Sequence, residues 1–458
     1  MSDAHTSPLW APLAFIGGHW TRDVLLSIDA SGNWETVEAG VACPAQARRL
    51  AGPVLPGVVN AHSHAFQRAF AGLTERRDSA LDDFWSWRDR MYQVALRVSP
   101  EQLHAIARHL YAELLAGGFT HTCEFHYLHH DTDGRHYADQ ATMMQVLAAA
   151  AADVGMTLTM LPVLYERAGF AQTALREDQR RFATSVERVL SFRDTVRSWR
   201  LPHVTAGVAI HSLRAAHADS IRELVTAVRD DAAPIHIHVA EQVAEVEQCL
   251  AATGMRPVEW LVRSGWLDAR WHLVHATHTT PDEVRSAAAA GAGVVLCPST
   301  EANLGDGTCD LDGWLSSASA LSVGTDSHIT RAWPAELQLV EYGQRLVQRR
   351  RNVSADPERM SSTAHRLFQR FVAGGAAAAG WNNIGIQVGA RADFVVLNTE
   401  TDALLGVPDD FLLDALVFSG SADAFRETWM RGQRCHEPED TRRAAREAMR
   451  RAMKEIWS

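Results

Sequence analysis

The chain predicts a (β/α)8 barrel with a small β domain formed by both chain ends, and three observations lead there. Eight apolar, strand-like runs alternate with longer helical patterns between residues 54 and 385. Histidines and acidic residues fall at the C-terminal ends of several runs, where such barrels carry their active sites. No GxGxxG follows the first run, which disfavours the doubly wound sheet that the same alternation would permit.

Residues 8–53 read as short strands and turns, "LAFIGG", "DVLLSID" and "GNWETV", punctuated by Gly and Asp. The barrel strands are expected at Val54–His64, Thr120–His126, Thr157–Tyr165, Val204–His211, Ile235–Val239, His272–Ala276, Gly293–Cys297 and Leu321–Thr325. Helical patterns separate them, at Pro100–Gly117, Asp139–Val154, Glu177–Arg197, Ala218–Asp230, Val243–Thr253 and Pro281–Ala290. After about residue 385 strand texture returns in "VGARADFVVLN" and "FRETWMRGQ". The expected division is therefore residues 1–53 plus 386–440 as a small β-sandwich, 54–385 as a metal-dependent catalytic barrel, and 441–458 as a charged terminal helix.

With 458 residues and 47% apolar content, the chain can bury a large core without disulfides. A net charge of −11 argues against a nucleic-acid partner. "RRR" at 349–351 and "RR" at 442–443 sit in helix-like stretches and read as solvated faces. None of the six cysteines (Cys43, Cys123, Cys249, Cys297, Cys309, Cys435) forms a CxxC pair, so we expect reduced thiols in a cytoplasmic protein. "MSDAHTSPLW" lacks a basic segment followed by an apolar one, so no signal peptide is expected, and no apolar run reaches membrane-spanning length. Lys454 is the only lysine, which excludes any mechanism that needs a lysine in the core.

The stretch "VVNAHSH" ends a buried run on His62 and His64. Residues i and i+2 of a strand share a face, so two neutral imidazoles there can grip one metal ion. The bland alternative is a pair of ordinary polar residues at a strand end. The other strand ends decide between the two. "IHIHVAEQ" offers His238 with Glu241 three residues on, "WHLVHAT" offers His275, and "LSVGTDSH" offers Asp326. His236 competes as the strand-five ligand; His238 is preferred because it lies nearer the strand end and is followed by Glu241. Three imidazoles and a carboxylate suit Zn²⁺ better than Mg²⁺ or Ca²⁺, and are compatible with iron or manganese.

"HSH" after strand one, the histidines of strands five and six and the "TDS" aspartate of strand eight resemble the amidohydrolase superfamily, over nearly the whole chain including the split β domain. Binuclear members of that superfamily commonly use a carboxylated lysine on strand four. Strand four here, "VTAGVAIHSLRA", holds none. The resemblance therefore implies one Zn²⁺ per subunit, held by His62, His64, His238 and Asp326, and a homodimer. It places Glu241 as the proton shuttle of the deaminase branch, Asp326 as acceptor of the water proton, and His275 close to the metal but outside its ligands, polarising the attacking water. The alternative for His275 is a core histidine bonded to backbone.

"NAHSHAFQRAFAG", "DFWSWRDRMY", "CEFHYLHH" and "HSLRA" together resemble members of the deaminase branch that act on an acyclic amidine bearing two carboxylates. That resemblance assigns Gln67, Arg88, Tyr127, His211 and Arg214 to substrate binding. Arginine forks suit carboxylates. Arg88 has Arg68, Arg76, Arg77 and Arg90 as nearby alternatives, and each of the five has a loop-packing role as its bland reading. The aromatic loop 82–92 is expected to be a lid or a dimer contact. A guanine-type or arylguanidine-type deaminase is the second enzymatic reading. A non-catalytic barrel would normally lack a ligand or the glutamate, and all are present here.

Overall fold

In a computed structural model that describes residues 7–77 and 83–458, the alternating runs close into a (β/α)8 barrel. Residues 1–6, which open the stretch read above for a signal peptide, lie outside the described residues, as does Asp82 of the aromatic stretch. The barrel strands are Val58–Ser63, Phe119–His126, Thr157–Leu164, a fourth interrupted at Gly207 (Val204–Ala206 and Val208–Ile210), Ile235–Val239, Trp271–His275, Gly293–Leu296 and Leu321–Val323. Each pairs in parallel with its neighbours in chain order. Helices cover the outside, so these strands are buried on both faces and read as continuous apolar runs.

The seam between strands one and eight closes the barrel. Ser63 bridges Asp326, and the Asp326 N–H donates to His62 O at 3.0 Å. The Asn60 amide spans the gap, donating to Thr325 Oγ1 at 2.9 Å and accepting from the Thr325 N–H at 2.8 Å. Gly324 sits against this seam, where an added Cβ would lie 2.6 Å from His62 Cβ.

The helices are well specified by their ends. Pro100–Ala116 starts on a Ser99–Gln102 capping box and Pro281–Ala289 on a Thr280–Glu283 box, each with Pro at the first position. Helix Thr363–Ala378 closes the floor of the barrel: the Ala378 carbonyl accepts from His236 Nε2 at 2.9 Å and Cys123 Sγ at 3.5 Å.

Both chain ends build the second sheet. Its order is Gln433–Arg434, Phe425–Met430, Phe394–Leu397, Val54–Pro56, Leu9–Ile16, His19–Ile28 and Trp34–Glu38, with Arg48–Arg49 pairing the strand Leu9–Ile16. Trp34, Phe394 and Trp429 stack in its core. Seven strands share one hydrogen-bonded path and Arg48–Arg49 joins it from the side, so the eight form one sheet where a sandwich of two was expected.

Three expectations change in detail. The single run Val54–His64 divides at Gly57, its first half pairing in the small sheet and its second in the barrel. The expected helix Glu177–Arg197 is a 3-10 turn, Glu177–Phe182, followed by Val186–Ser198. The aromatic "loop" is a helix, Phe84–Ala95, because Asp83 and Ser86 form a capping box that a reading of its tryptophans alone overlooks. The terminal helix spans Glu439–Trp457, and Trp457 Nε1 donates to Ala69 O at 3.0 Å. All six cysteines are free thiols, and among the described residues no helix is long and apolar enough to cross a membrane.

Candidate active site

Four side chains from three strand ends meet at the mouth of the barrel. His62 Nε2 lies 3.1 Å from His64 Nε2 and 2.9 Å from His238 Nε2, and both His62 and His64 present Nε2 to Asp326 Oδ1 at 3.3 Å. The Nδ1 atom of His64 donates to Phe125 O at 2.9 Å, which leaves its Nε2 lone pair facing inward. Burial keeps all three imidazoles neutral: it lowers the His62 pKa to about 3 and holds His64 and His238 below the ordinary value. Asp326 is an ionised carboxylate. Burial works against its charge, but the His62 hydrogen bond and the surrounding imidazoles outweigh it and hold the group below the usual range. Neutral nitrogens crowded at 3 Å around one carboxylate oxygen lack the protons to bond one another fully. A cation at their centre satisfies all four, and together they form a group able to hold a metal ion.

His275 stands beside this cluster. Its Nε2 is 3.7 Å from Glu241 Oε1 and 3.9 Å from Asp326 Oδ2, while Nδ1 is 3.3 Å from Glu301 Oε1. Burial opposes a charge on His275, yet Glu241 and the Cys297 and Glu301 contacts raise its pKa well above the ordinary value. The Glu241 carboxyl is likewise raised, to about 7, chiefly by burial and against the pull of His275. Ala240, His275, Ala276, Asp326 and His328 all have positive φ although none is glycine. The backbone is thus held in a costly conformation at the strand ends that carry the chemistry, which is where such strain concentrates.

A second group of side chains lines the wall next to the cluster. The His211 ring packs 5.1 Å from His238 and 4.4 Å from Tyr165. Gln67 Nε2 donates to the Tyr127 hydroxyl at 3.0 Å, and the Tyr127 ring lies 4.9 Å from His64. Two guanidiniums flank one indole: Arg88 lies 4.5 Å from the Trp85 ring centre and Arg214 5.7 Å. The Nε atoms of both arginines are buried without a hydrogen-bond partner. Burial, then Arg214 and Arg88 among the neighbouring charges, holds His211 neutral, so both cations lie close to this wall. Unsatisfied buried guanidinium donors beside aromatic walls suit an anionic ligand.

All eleven residues singled out in the sequence therefore gather at one barrel mouth. His236, the competing histidine of strand five, is instead spent on the barrel floor. The sequence reading missed three groups. Glu124 accepts from Ser63 Oγ at 2.8 Å, the Ala65 N–H at 2.6 Å and the Tyr111 hydroxyl at 3.3 Å, fixing the backbone around His64. Burial pushes its carboxyl up to about 7. Its signal was an acid inside the otherwise uncharged strand "FTHTCEFH". Glu301 braces His275 and accepts the Cys297 N–H at 2.8 Å. The Trp85 ring lies against both arginines, and nothing in its local sequence distinguishes it from Trp87.

The amidohydrolase family matches residues 54–435. A formimidoylglutamate deiminase of Pseudomonas aeruginosa is 42% identical over 429 residues, covering 93% of this chain and 94% of that protein. An 8-oxoguanine deaminase of the same organism is 28% identical over 385 residues, 81% of this chain and 76% of that one. Among solved structures, an amidohydrolase from Brucella melitensis superposes with a TM-score of 0.92 at 41% identity, covering 99% of this chain and 100% of that one. An adenosine deaminase from Xanthomonas campestris with bound zinc shares the fold, with a TM-score of 0.80 at 20% identity over 98% of each chain.

Proposed function

The chain belongs to the amidohydrolase family, and from that premise we propose that it hydrolyses N-formimidoyl-L-glutamate to N-formyl-L-glutamate and ammonia, a step of histidine degradation, in the cytoplasm and with one Zn²⁺ per subunit. The observation that carries the substrate is the pair Arg88 and Arg214 around Trp85, with orphaned buried donors, beside a cluster suited to hydrolysis. The substrate has two carboxylates at one end and a cationic amidine at the other, and this mouth has complementary halves. A purine base carries no carboxylate to pair with either guanidinium.

His62, His64, His238 and Asp326 are the residues that would hold the metal; their neutral nitrogens and ionised carboxylate fit it. A bound zinc ion supplies the Lewis acidity that activates water near neutral pH. The rest is the work of side chains. Arg88 and Arg214 hold the carboxylates, with Gln67, Tyr127 and His211 offering hydrogen bonds that orient the chain of the substrate. Asp326 turns Oδ1 to His62 and His64, and Oδ2, on the His275 side, is placed to accept the water proton. Glu241, whose carboxyl is pushed up to about 7, exchanges its proton near neutral pH, so it can take one up and deliver it to the departing nitrogen. The cationic His275 donates Nε2–H toward the attacking oxygen and stabilises negative charge growing there.

Removal and return of metal tests this reading. Chelator-treated protein should release no ammonia from N-formimidoyl-L-glutamate, and one equivalent of Zn²⁺ should restore release. Activity that survives full metal depletion would overturn it.

A further inference from the structure

On the side of His275 turned away from the His62–His64–His238–Asp326 cluster, three donors of different chemistry converge. One donor atom each from His275, Cys297 and Glu301 lies within 4.8 Å of the others, and all three residues are buried. His275 Nδ1 and Glu301 Oε1 are 3.3 Å apart. The Cys297 sulfur lies within 4.8 Å of both. The arrangement is built, not incidental: Cys297 follows strand seven and caps helix Pro298–Leu304, Glu301 sits one turn later in that helix, and its Oε1 is fixed by the Cys297 N–H. Two carboxylates lie against this one imidazole, Glu241 at 3.7 Å from Nε2 and Glu301 at 3.3 Å from Nδ1. Among the described residues neither Glu301 nor Asp306 pairs with an arginine, and Asp306 Oδ2 is buried without a partner.

We propose that His275, Cys297 and Glu301 form a second site, for a thiophilic divalent ion such as Zn²⁺, and that filling it inhibits the enzyme by holding the His275 ring at Nδ1 and drawing its Nε2–H away from Glu241 and Asp326. The inhibitory part rests on the role given to His275 above; the site itself does not. Nitrogen, thiolate and carboxylate donors are a zinc set, and donors on a tetrahedral ion stand about 3.5 Å apart, close to the His275–Glu301 separation. Binding replaces the thiol proton and the imidazole Nδ1 proton, which pass to solvent. One thiolate and one carboxylate then balance the dication. The first cluster has no sulfur, so the two sites differ in softness and in spectrum.

Co²⁺ is the probe. Metal-depleted full-length protein receives one equivalent, then a second, while near-ultraviolet absorption and ammonia release are followed. The first equivalent should give turnover and no thiolate-to-cobalt absorption. The second should bring that absorption and cut turnover by on the order of 100-fold, the contribution of one donor that stabilises charge developing in the transition state. Cys297→Ser should lose both effects of the second equivalent. Should that variant fail to fold, Glu301→Gln should require more Co²⁺ for the same absorption. A second equivalent without thiolate absorption, or absorption that persists in Cys297→Ser, overturns the site. Absorption without inhibition overturns its inhibitory role. Absence of turnover with one equivalent strikes at the proposed reaction alone, since the absorption does not depend on substrate.

Discussion

His62, His64 and His238 owe their chemistry to burial: each is a neutral imidazole because water cannot reach it, and neutrality is what a metal ligand needs. In the proposed reaction Glu241 owes its role to the same cause acting on an acid, which brings its proton exchange to near neutral pH. Glu241→Gln should therefore keep its metal, since no ligand is touched, while kcat falls by about 10²–10⁴-fold; metal analysis beside steady-state kinetics checks this, and full activity would end the assignment. Arg214→Ala should raise KM for the dicarboxylate by about 10–100-fold, the loss of a charge-assisted contact of ~1.5–3 kcal/mol, with metal content unchanged. At this scale the sequence was legible wherever spacing carried meaning: HSH, HVAEQ and TDSH each place a reactive group at a strand end. Glu301 and Trp85 were not legible, because their partners come from other elements and no local pattern announces such contacts.

The elements turn those residues toward one point. Strands one and eight carry three of the four cluster residues, and they meet only because the seam closes through Asn60 and Thr325. Gly324 is the position where this closure leaves no room for a side chain. Its Cβ would fall 2.6 Å from His62 Cβ and 2.7 Å from His62 N. Gly324→Ala should push strand eight from strand one, so metal content and activity fall together, while Gly406→Ala, in open space at the surface, should leave metal content as it was. Zinc analysis of the purified variants decides it, and a Gly324→Ala protein with full metal would show that the seam does not position His62. Strand and helix order was readable from periodicity. The split at Gly57 was not, because one apolar run serves two sheets and hydrophobicity does not say which neighbour a strand pairs with.

For the molecule as a whole, the same burial makes stability depend on pH. His121, His126, His129, His236, His272 and His328 are buried and neutral, with pKa values lowered first by desolvation, to about 3 for His126 and His328 and about 4 for His236. Below the unfolded value of about 6.5, the unfolded chain binds protons that the folded one refuses. Each such histidine then takes away ~1.4 kcal/mol of stability per pH unit, until the folded pKa is reached. Glu124 and Glu336, pushed up to about 7, act with the opposite sign between about pH 4.5 and 7 and are outnumbered. The urea midpoint should fall steeply from pH 7 to pH 5; a flat profile would mean that these histidines are hydrated. The barrel and the interleaved ends were visible in the order of runs, whereas the single path of the small sheet depends on pairings that only the folded chain defines.

The proposed activity is most directly tested by ammonia release from zinc-loaded protein offered N-formimidoyl-L-glutamate, N-formimidoyl-L-aspartate, guanine and cytosine side by side. Rapid turnover of the glutamate compound, with the shorter dicarboxylate poor and the bases inert, is the expected result, because the contacts proposed for Arg88 and Arg214 would require carboxylates at a set distance from the amidine. Turnover of a base, with none of N-formimidoyl-L-glutamate, would contradict it and leave the two arginines in need of another anion.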